Sequence, residues 1–393
     1  MCIRDRATLI TQTGVKEIDD GVAWAVYRLR AALQRAGAKD RTETLPSGGA
    51  DLFWSGLGAL AVGEEDACLG ALDLLRPEGD TPWIDGVPVC EGALRALLAA
   101  RVTLLTGNPG TALAAVDHLR GVGLPHIHSS SSRASWELWR LALEWLSDAI
   151  LGAAPEEDIV WLREEAGRDA HRSGPVRLPM AGQPGNQEMG PASLLRLLVG
   201  GGRKGAARQG VATDPWRDEA LGGWTQLRRG DIEQGYRVWR DALAAGLMGG
   251  PSGRGSWDPE GIGAPGAGHV LCGLAYGILG LAPDAPVGRI HIAPSFPAHL
   301  NTFTARGIRL GDTLIDLDYG REGGRHRFEL SPSKGRVPAT VIFEPSLPGD
   351  RLGATYIDGE PADLAPVREG DRLRFGVQLP LDGRRTVEVE GKG

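Results

Sequence analysis

The chain has 393 residues, of which 42% are hydrophobic and 24% charged, and its formal net charge is −7. These values are ordinary for a globular protein and allow two domains with sizeable cores. The sequence has no basic tail or basic run interleaved with aromatic residues, and no apolar run long enough to cross a bilayer. We therefore expect neither a nucleic-acid nor a membrane partner.

The cysteines and the first residues bear on compartment and completeness. Cys2, Cys68, Cys90 and Cys272 lack the spacing of a zinc site or a disulfide framework. We therefore predict no metal, no cofactor and free thiols, which slightly favours the cytoplasm. Residues 1–6, MCIRDR, are typical of a translated sequencing adaptor, so we interpret them as an artefact and expect a missing N-terminal segment. The sequence does not predict an oligomeric state.

The chain from about residue 18 to residue 282 alternates between apolar and polar helical patterns, with loops rich in Gly, Pro and Ser between them. An amphipathic helix is predicted over about 19–35. Apolar helices are then predicted to begin near residues 51, 90, 135, 189, 214 and 266, each paired with a polar helix. This pairing predicts an (α/α)6 toroid over residues 7–283, although an open helical solenoid gives the same alternation.

After Pro283 the hydrophobic period changes from 3.6 to 2. Eight short runs of alternating residues, separated by turn signals such as Gly-Asp and Asp-Gly, predict eight strands. The economical arrangement is an antiparallel β-sandwich over residues 284–393, packed against the helices. The predicted fold class is therefore mainly α with a C-terminal β domain.

The loops that lead into the apolar helices carry aromatic and titratable residues. The chain has eleven Trp against six Phe and five Tyr, and indole rings stack on sugar rings as well as filling cores. The glycine-rich stretch 249–281 combines such residues with a helix of small residues. It contains Trp257, Asp258, Glu260 and His269. This combination suggests the wall of a ligand site.

Two segments resemble the six-hairpin glycosidase superfamily, which includes glucoamylases, rhamnosidases and trehalases: SGGADLFWSGLGALAVGEEDACLGALDLL and SWDPEGIGAPGAGHVLCGLAYGILGLAPDAPVGRIHIAPSFPAHL. The resemblance covers roughly residues 18–390. It implies a carbohydrate substrate and an active site in the loops that precede the inner helices. The residues expected to bind substrate are Asp51, Trp54, Trp83, Trp136, Trp216, Trp257, His126, His128 and His269.

Cleavage of a glycosidic bond requires one protonated and one ionised carboxyl group. Glu137 is the candidate acid, because its neighbours Trp136, Leu138 and Trp139 would raise its pKa. The alternative role of Glu137 is to complement the dipole of the helix that it begins.

The resemblance also implies an acid before the third inner helix and a base before the sixth. By position the base would be Glu260 or Asp258, and solvated loop carboxylates are the alternative. Glu188 is a rival acid or base, unless it only assists helix capping by Asn186.

The first hypothesis is a glycoside hydrolase that acts on an oligosaccharide or glycoside by carboxylate acid/base catalysis. His126, His128 and His269 suggest a sugar epimerase, isomerase or lyase instead, since imidazole can act as acid or base near neutral pH. A non-catalytic carbohydrate-binding protein is a third alternative, because fold alone does not fix function.

Overall fold

The computed structural model describes residues 9–38, 49–75, 83–84, 87–88, 91–122, 133–167, 222–224, 226–227, 230–247, 264–335 and 339–392. Helices dominate the described chain up to residue 278, and strands dominate it from residue 282 onwards. This order confirms the predicted succession of a helical part and a C-terminal β part. Among the described residues, no helix is both long enough and apolar enough to cross a membrane.

The described helices are numbered in chain order. They are α1 (Lys16–Ala38), α2 (Gly49–Ala61), α3 (Glu65–Leu74), α4 (Glu91–Thr106), α5 (Gly110–Val122), α6 (Arg133–Ala149), α7 (Glu156–Gly167), α8 (Ile232–Leu247) and α9 (Ala264–Cys272). Helix α9 continues directly as a π-helix, Gly273–Ile278. Helices α2, α4, α6 and α9 begin within about two residues of the predicted starts near residues 51, 90, 135 and 266.

The helices form two layers. Helices α2, α4, α6 and α9, which were predicted as the apolar ones, form one layer: α2 contacts both α9 and α4, and α4 contacts α6. The polar helices lie against them, with α3 on α2, α5 on α4, α7 on α6 and α1 on α9. Every residue from Leu52 to Leu60 is buried, whereas α1 buries a single stripe that includes Val22, Leu29 and Leu33. The difference follows from position, since α2 has neighbours on several sides and α1 covers the outside.

Helices α2 and α9 pack with their backbones in contact. A Cβ atom added to Gly58 would lie 2.4 Å from the Cα atom of Gly268. A Cβ atom added to Gly268 would lie 2.3 Å from the carbonyl oxygen of Trp54. Both separations are far shorter than van der Waals contact, so these positions accept only glycine unless the helices move apart.

The described strands are β1 (Ile10–Gln12), β2 (Trp83–Ile84), β3 (Val87–Pro88), β4 (Ala282–Asp284), β5 (Arg289–Ile292), β6 (Thr302–Leu310), β7 (Thr313–Glu322), β8 (Arg325–Lys334), β9 (Ala339–Phe343), β10 (Ser346–Pro348), β11 (Arg351–Ile357), β12 (Glu360–Pro361), β13 (Val367–Glu369), β14 (Arg372–Arg374), β15 (Val377–Leu381) and β16 (Arg385–Lys392). A seven-stranded sheet has the order β1-β6-β7-β8-β16-β11-β12. Smaller sheets have the orders β15-β9-β5-β4 and β10-β14-β13, and β2 pairs with β3.

Two pairings differ from a purely antiparallel C-terminal unit. Strands β5 and β9 are parallel, while the other described ladders are antiparallel. Strand β1, from the beginning of the described chain, pairs with β6 and matches Ile10 to Arg306. The two larger sheets share a core, since the rings of Phe328 in β8 and Phe343 in β9 lie 5.1 Å apart. Strand β1 has only three residues, which is too few for an alternating pattern to be recognised in the sequence.

The β part rests against the ends of the helices. The backbone N–H of Gly311 donates to the carbonyl of Leu105 in α4 at 2.6 Å. Arg309 forms an ion pair with Glu65 of α3 at 2.7 Å. At the end of the π-helix, the carbonyl of Ile278 accepts a hydrogen bond from the N–H of Ser295 at 2.8 Å. These contacts fix the start of the β part on the helical layers.

Candidate functional site

Two of the sequence-predicted site residues have described side chains, and the structure places them in contact. The ring centroids of Trp54 in α2 and His269 in α9 are 4.7 Å apart. Both side chains are buried. The glycine contact between α2 and α9 explains this proximity, because Gly268 immediately precedes His269 and touches the carbonyl of Trp54.

Four further predicted residues have a described backbone, but their side chains lie outside the described part. Asp51 lies in α2, Trp83 in β2, and Trp136 and Glu137 in α6. The remaining predicted residues lie outside the described residues altogether: His126, His128, Glu188, Trp216, Trp257, Asp258 and Glu260. Their roles, and their grouping around one cavity, stay predictions.

Trp54 and His269 belong to a larger buried group that we call the axial cluster. Trp54 is also 5.8 Å from Trp224 between ring centroids, with the rings edge to face. Trp224 lies 6.2 Å from Tyr276 of the π-helix. The guanidinium carbon of Arg101 in α4 lies 5.2 Å from the Tyr276 ring and 5.0 Å from the ring of Trp145 in α6. The axial cluster therefore consists of Trp54, Arg101, Trp145, Trp224, His269 and Tyr276.

The axial cluster draws a side chain from each of the apolar helices α2, α4, α6 and α9. Its aromatic pairs lie within the 4.5–7 Å separation at which ring edges and faces attract one another. The two flanking rings give the buried Arg101 a cation–π contact on each side. Aromatic faces and cationic donors at the centre of the helical layers are suited to binding a polar ligand that has apolar faces.

Two donors in the axial cluster have no hydrogen-bond partner among the residues that the structure describes. They are the Nη2 group of Arg101 and the indole Nε1 of Trp224. An unsatisfied buried donor costs roughly 1–3 kcal/mol, so native proteins rarely leave one without a partner. Such groups are therefore candidate contacts for a ligand.

Burial controls the ionisation of the cluster. It raises the pKa of Tyr276 to about 12, although the nearby Arg101 acts in the opposite direction. The phenol therefore stays protonated at neutral pH and can donate a hydrogen bond. Burial also raises the pKa of the neighbouring Cys272 thiol, which makes it a poor nucleophile. These groups support binding better than covalent catalysis.

A π-helix follows His269 and presents Tyr276. The indole Nε1 of Trp239 donates to the carbonyl of Val270 at 2.9 Å, just before the helix widens. Gly273 accommodates this indole, since a Cβ atom there would lie 2.7 Å from Cδ1 of Trp239. Insertion of a side chain into the helix ladder is a recognised cause of such irregularity, and π-helical turns are frequent at functional sites.

The described part of the chain offers little acid/base or metal chemistry near the cluster. No group of three His, Cys, Asp or Glu residues within the described ranges could hold a metal ion. Glu144 in α6 is the one described carboxylic acid whose pKa is raised, and burial is the main cause. It forms an ion pair with Arg140 one turn earlier, at 3.4 Å. Glu144 is therefore a useful point of comparison for the predicted acid Glu137 on the same helix.

Four members of the axial cluster were not among the predicted site residues: Arg101, Trp145, Trp224 and Tyr276. Arg101 had a detectable signal, because it lies in the otherwise apolar run ALLAARVTLL. A charged residue within such a run is buried with partners or faces a functional cavity. Trp145, Trp224 and Tyr276 gave no comparable signal, since aromatic residues in apolar helices usually fill cores.

Comparisons with known proteins locate the fold. A scan against protein families finds no match, and a search of curated proteins finds none either. Among solved structures, a GH78 family rhamnosidase of Bacillus sp. GL1 matches with 13% identity and a TM-score of 0.53, over 83% of this chain and 42% of the rhamnosidase. The chain shares its fold with that rhamnosidase. It spans less than half of the rhamnosidase's length.

Two other solved structures match less closely. A protein from the human microbiome, described as a kojibiose phosphorylase, has 8% identity and a TM-score of 0.49, over 95% of this chain and 67% of that one. A GH127 β-L-arabinofuranosidase from Geobacillus stearothermophilus T6 has 12% identity and a TM-score of 0.30, over 95% and 80%. Scores at this level add no argument to the fold that the rhamnosidase supports.

Proposed function

We propose that this protein is a carbohydrate-active enzyme, and specifically a glycoside hydrolase. The observation that carries the proposal is the axial cluster, in which aromatic rings meet two donors that have no partner among the described residues. The shared fold supports it, because the matching structure is a rhamnosidase. Fold likeness alone would not suffice, since one fold hosts many functions.

The proposed architecture is an (α/α)6 toroid over residues 7–283 and a β domain over residues 284–393. Helices α2, α4, α6 and α9 would form part of the inner ring. The sequence-predicted helices that begin near residues 189 and 214 would complete it. The loops before these helices would then surround one entrance. These loops carry Trp83, His126, His128, Trp216 and Trp257, and the first turns of α2 and α6 carry Asp51 and Trp136.

The axial cluster would form the floor of the substrate cavity. Sugar rings present apolar C–H faces and a rim of hydroxyl groups, which match indole faces and N–H donors respectively. Nη2 of Arg101 and Nε1 of Trp224 would each donate to a sugar hydroxyl and so gain the partner that they lack among the described residues. Binding would thus satisfy groups whose burial otherwise costs free energy.

The proposed chemistry uses two carboxyl groups at the entrance. Glu137 would donate its proton to the glycosidic oxygen as the bond to the anomeric carbon breaks. Glu260 or Asp258 would remove a proton from water, whose oxygen bonds to that carbon, and Glu188 is the rival for either role. Glu137 belongs to α6, which also supplies Trp145 to the cluster. This common helix would place the acid beside the proposed floor.

The proposal is tested with a panel of aryl glycosides and oligosaccharides on the longest available form of the protein, comparing the wild type with Glu137→Gln. We expect hydrolysis to fall about 10²–10⁴-fold, as for loss of a general acid. The matched control is Glu144→Gln, the same substitution on the same helix, which should leave hydrolysis nearly unchanged. Loss of activity in Glu144→Gln alone would move the acid to Glu144, and full activity in both would remove α6 from the acid role.

Contact between His269 and Trp54 favours a second candidate, a sugar epimerase, isomerase or lyase. The two functions are separated by their products. Nuclear magnetic resonance of a reaction mixture distinguishes released reducing sugar from an isomerised or unsaturated sugar. An isomerised product that disappears in His269→Gln, with no released sugar in the wild type, would replace the hydrolase proposal.

A further inference from the structure

A polar cavity lies in the β part, beside the turn that joins β7 to β8 in the seven-stranded sheet. Its volume is about 490 Å³, which is enough for a monosaccharide-sized ligand. Asn301, Arg321, His326, Pro348 and Gly391 line it together with the Glu322–Gly324 turn. None of these residues belongs to the axial cluster, and the sequence analysis assigned a role to none of them.

Strand register places a cation and a histidine on the same wall of the cavity. Arg321 of β7 lies directly opposite His326 of β8 in the antiparallel ladder, so both side chains belong to one face of the sheet. Glu322 pairs with Arg325, so the alternation of side chains assigns this acid to the opposite face. Arg325 bonds there to Glu388. Arg321 is therefore the charged residue whose side chain shares the face of His326, while Glu322 belongs to the lining as part of the turn.

Arg321 is half-buried and forms no ion pair with any residue that the structure describes. The interior behind the cavity adds a second positive charge from Arg372. This guanidinium is buried and donates to the carbonyls of Phe296 and Ser346, at 2.8 and 2.7 Å, rather than to a carboxylate. Arg321 and Arg372 both lie close enough to His326 to lower its pKa, and neither bonds to a carboxylate among the described residues, which favours an anion beside His326.

His326 supplies an oriented donor. Its side chain is 3% exposed, and its Nδ1 atom lies 3.0 Å from the hydroxyl oxygen of Tyr319. Burial, with Arg321 and Arg372, lowers the pKa of His326 to about 4, so the imidazole is neutral at neutral pH. When the Tyr319 hydroxyl donates to Nδ1, the proton of the ring lies on Nε2. That nitrogen is then a donor.

The Nε2 atom has space beside it because residue 391 is a glycine. A Cβ atom on Gly391 would lie 3.5 Å from Nε2 of His326. The described residues give Nε2 no hydrogen-bond partner, and His326 lines the cavity. The imidazole of His326 is held by the bond at Nδ1, so its Nε2 group points in a fixed direction beside the guanidinium of Arg321. This pair of donors fits the oxygen atoms of an anionic group.

We propose that this cavity binds the oxyanion group of a small ligand, a phosphate or carboxylate, through Arg321 and the Nε2 group of His326. Asn301 completes the wall and offers an amide for a neighbouring hydroxyl. The site lies outside the helical layers. It is therefore independent of the proposed glycosidase activity.

The test is a titration by isothermal calorimetry and by histidine-selective ¹⁵N resonance spectroscopy of the wild-type chain. The probes are inorganic phosphate, glucose 6-phosphate, glucuronate and, as the neutral control, glucose. We expect saturable binding of at least one anionic probe and a shift of the His326 Nε2 resonance, with no binding of glucose. Comparison of inorganic phosphate with the two sugar anions identifies whether the anion is recognised alone or on a sugar.

Three variants locate the site. Arg321→Gln should weaken the affinity for the anion at least about tenfold, since a charge-assisted hydrogen bond is lost. Gly391→Ala should also weaken it, because the methyl group occupies the space beside Nε2 while both donors remain. Arg325→Gln removes the same charge from the opposite face of the same hairpin, outside the cavity lining, and should bind as tightly as the wild type. Thermal unfolding confirms that each variant is folded.

Two outcomes would overturn the proposal. One is the absence of saturable binding of any anionic probe to the folded wild type at millimolar concentration. The other is binding that persists unchanged in both Arg321→Gln and Gly391→Ala, since the anion would then lie elsewhere.

Discussion

Two buried arginines show how differently the helical and β parts treat a charge. Arg372 in the β part is 4% exposed and donates three hydrogen bonds, to Ser346 Oγ, the Ser346 carbonyl and the Phe296 carbonyl. Arg101 in the helical part is 6% exposed and lies between two aromatic rings, with Nη2 unpartnered among the described residues. The donors of Arg372 stabilise the fold, whereas the unpartnered Nη2 group of Arg101 is a candidate contact for water or a ligand.

The comparison is tested most strongly by Arg372→Met. The aliphatic side chain fills similar volume but leaves the Ser346 and Phe296 carbonyls without their donor. We expect the free energy of unfolding to fall by about 3 kcal/mol, measured by urea denaturation. The matched control is Arg368→Met on the neighbouring strand β13, where the exposed side chain pairs with Asp350 and the loss should stay below about 0.5 kcal/mol. Equal losses in the two variants would contradict a structural role for Arg372.

The next effect concerns acid stability and His326. Because its folded pKa of about 4 lies below the ordinary value of about 6.5, the unfolded chain takes up a proton that the folded chain does not. The contribution is therefore complete above pH 6.5 and is lost as the pH falls from about 6.5 to about 4. We expect His326 to account for up to about 3 kcal/mol of that loss.

The measurement compares unfolding free energies at several pH values for the wild type and His326→Phe. The variant should show a flatter pH dependence than the wild type between pH 6.5 and 4. An unchanged slope in His326→Phe would show that the imidazole is not held neutral by the β part.

The smallest effect on stability is expected for Arg101→Met. Removal of this side chain loses two cation–π contacts but also removes a buried charge and an unsatisfied donor, and these contributions offset each other. The free energy of unfolding should change by less than about 1 kcal/mol, whereas the affinity for a glycoside substrate should fall at least about tenfold. If Arg101→Met were as destabilising as Arg372→Met and left binding intact, the two arginines would have the same structural role.

The elements of this fold were largely accessible from the sequence, because each has its own hydrophobic period. The first helix was predicted over about 19–35 and is Lys16–Ala38, and the helix predicted to begin near residue 90 is Glu91–Thr106. Local patterns do not report pairing between distant segments. The parallel ladder of β5 with β9 and the strand β1 on β6 were therefore not foreseen.

Site prediction was limited for a related reason. Trp54 and His269 were both selected from their composition and helix positions, yet no local signal showed that they touch. Their contact depends on Gly58 and Gly268, which are 210 residues apart and allow two backbones to meet. Arg321 and His326 were passed over because an arginine and a histidine in alternating strands are common on exposed sheet faces. Only the pairing of Arg321 with His326 across the two strands, and the burial of His326, distinguish these residues from exposed ones.

Helix α9 is held on one side by the backbone of α2 and continues on the other into the β part. No side chain separates Gly268 from the Trp54 carbonyl, so a change in side-chain size cannot adjust the distance between Trp54 and His269. Beyond the π-helix, the N–H groups of Ala293 and Ser295 donate to the carbonyls of Leu279 and Ile278. Helix α9 and the π-helix therefore form a backbone connection between the contact at Trp54 and the first strands of the β part.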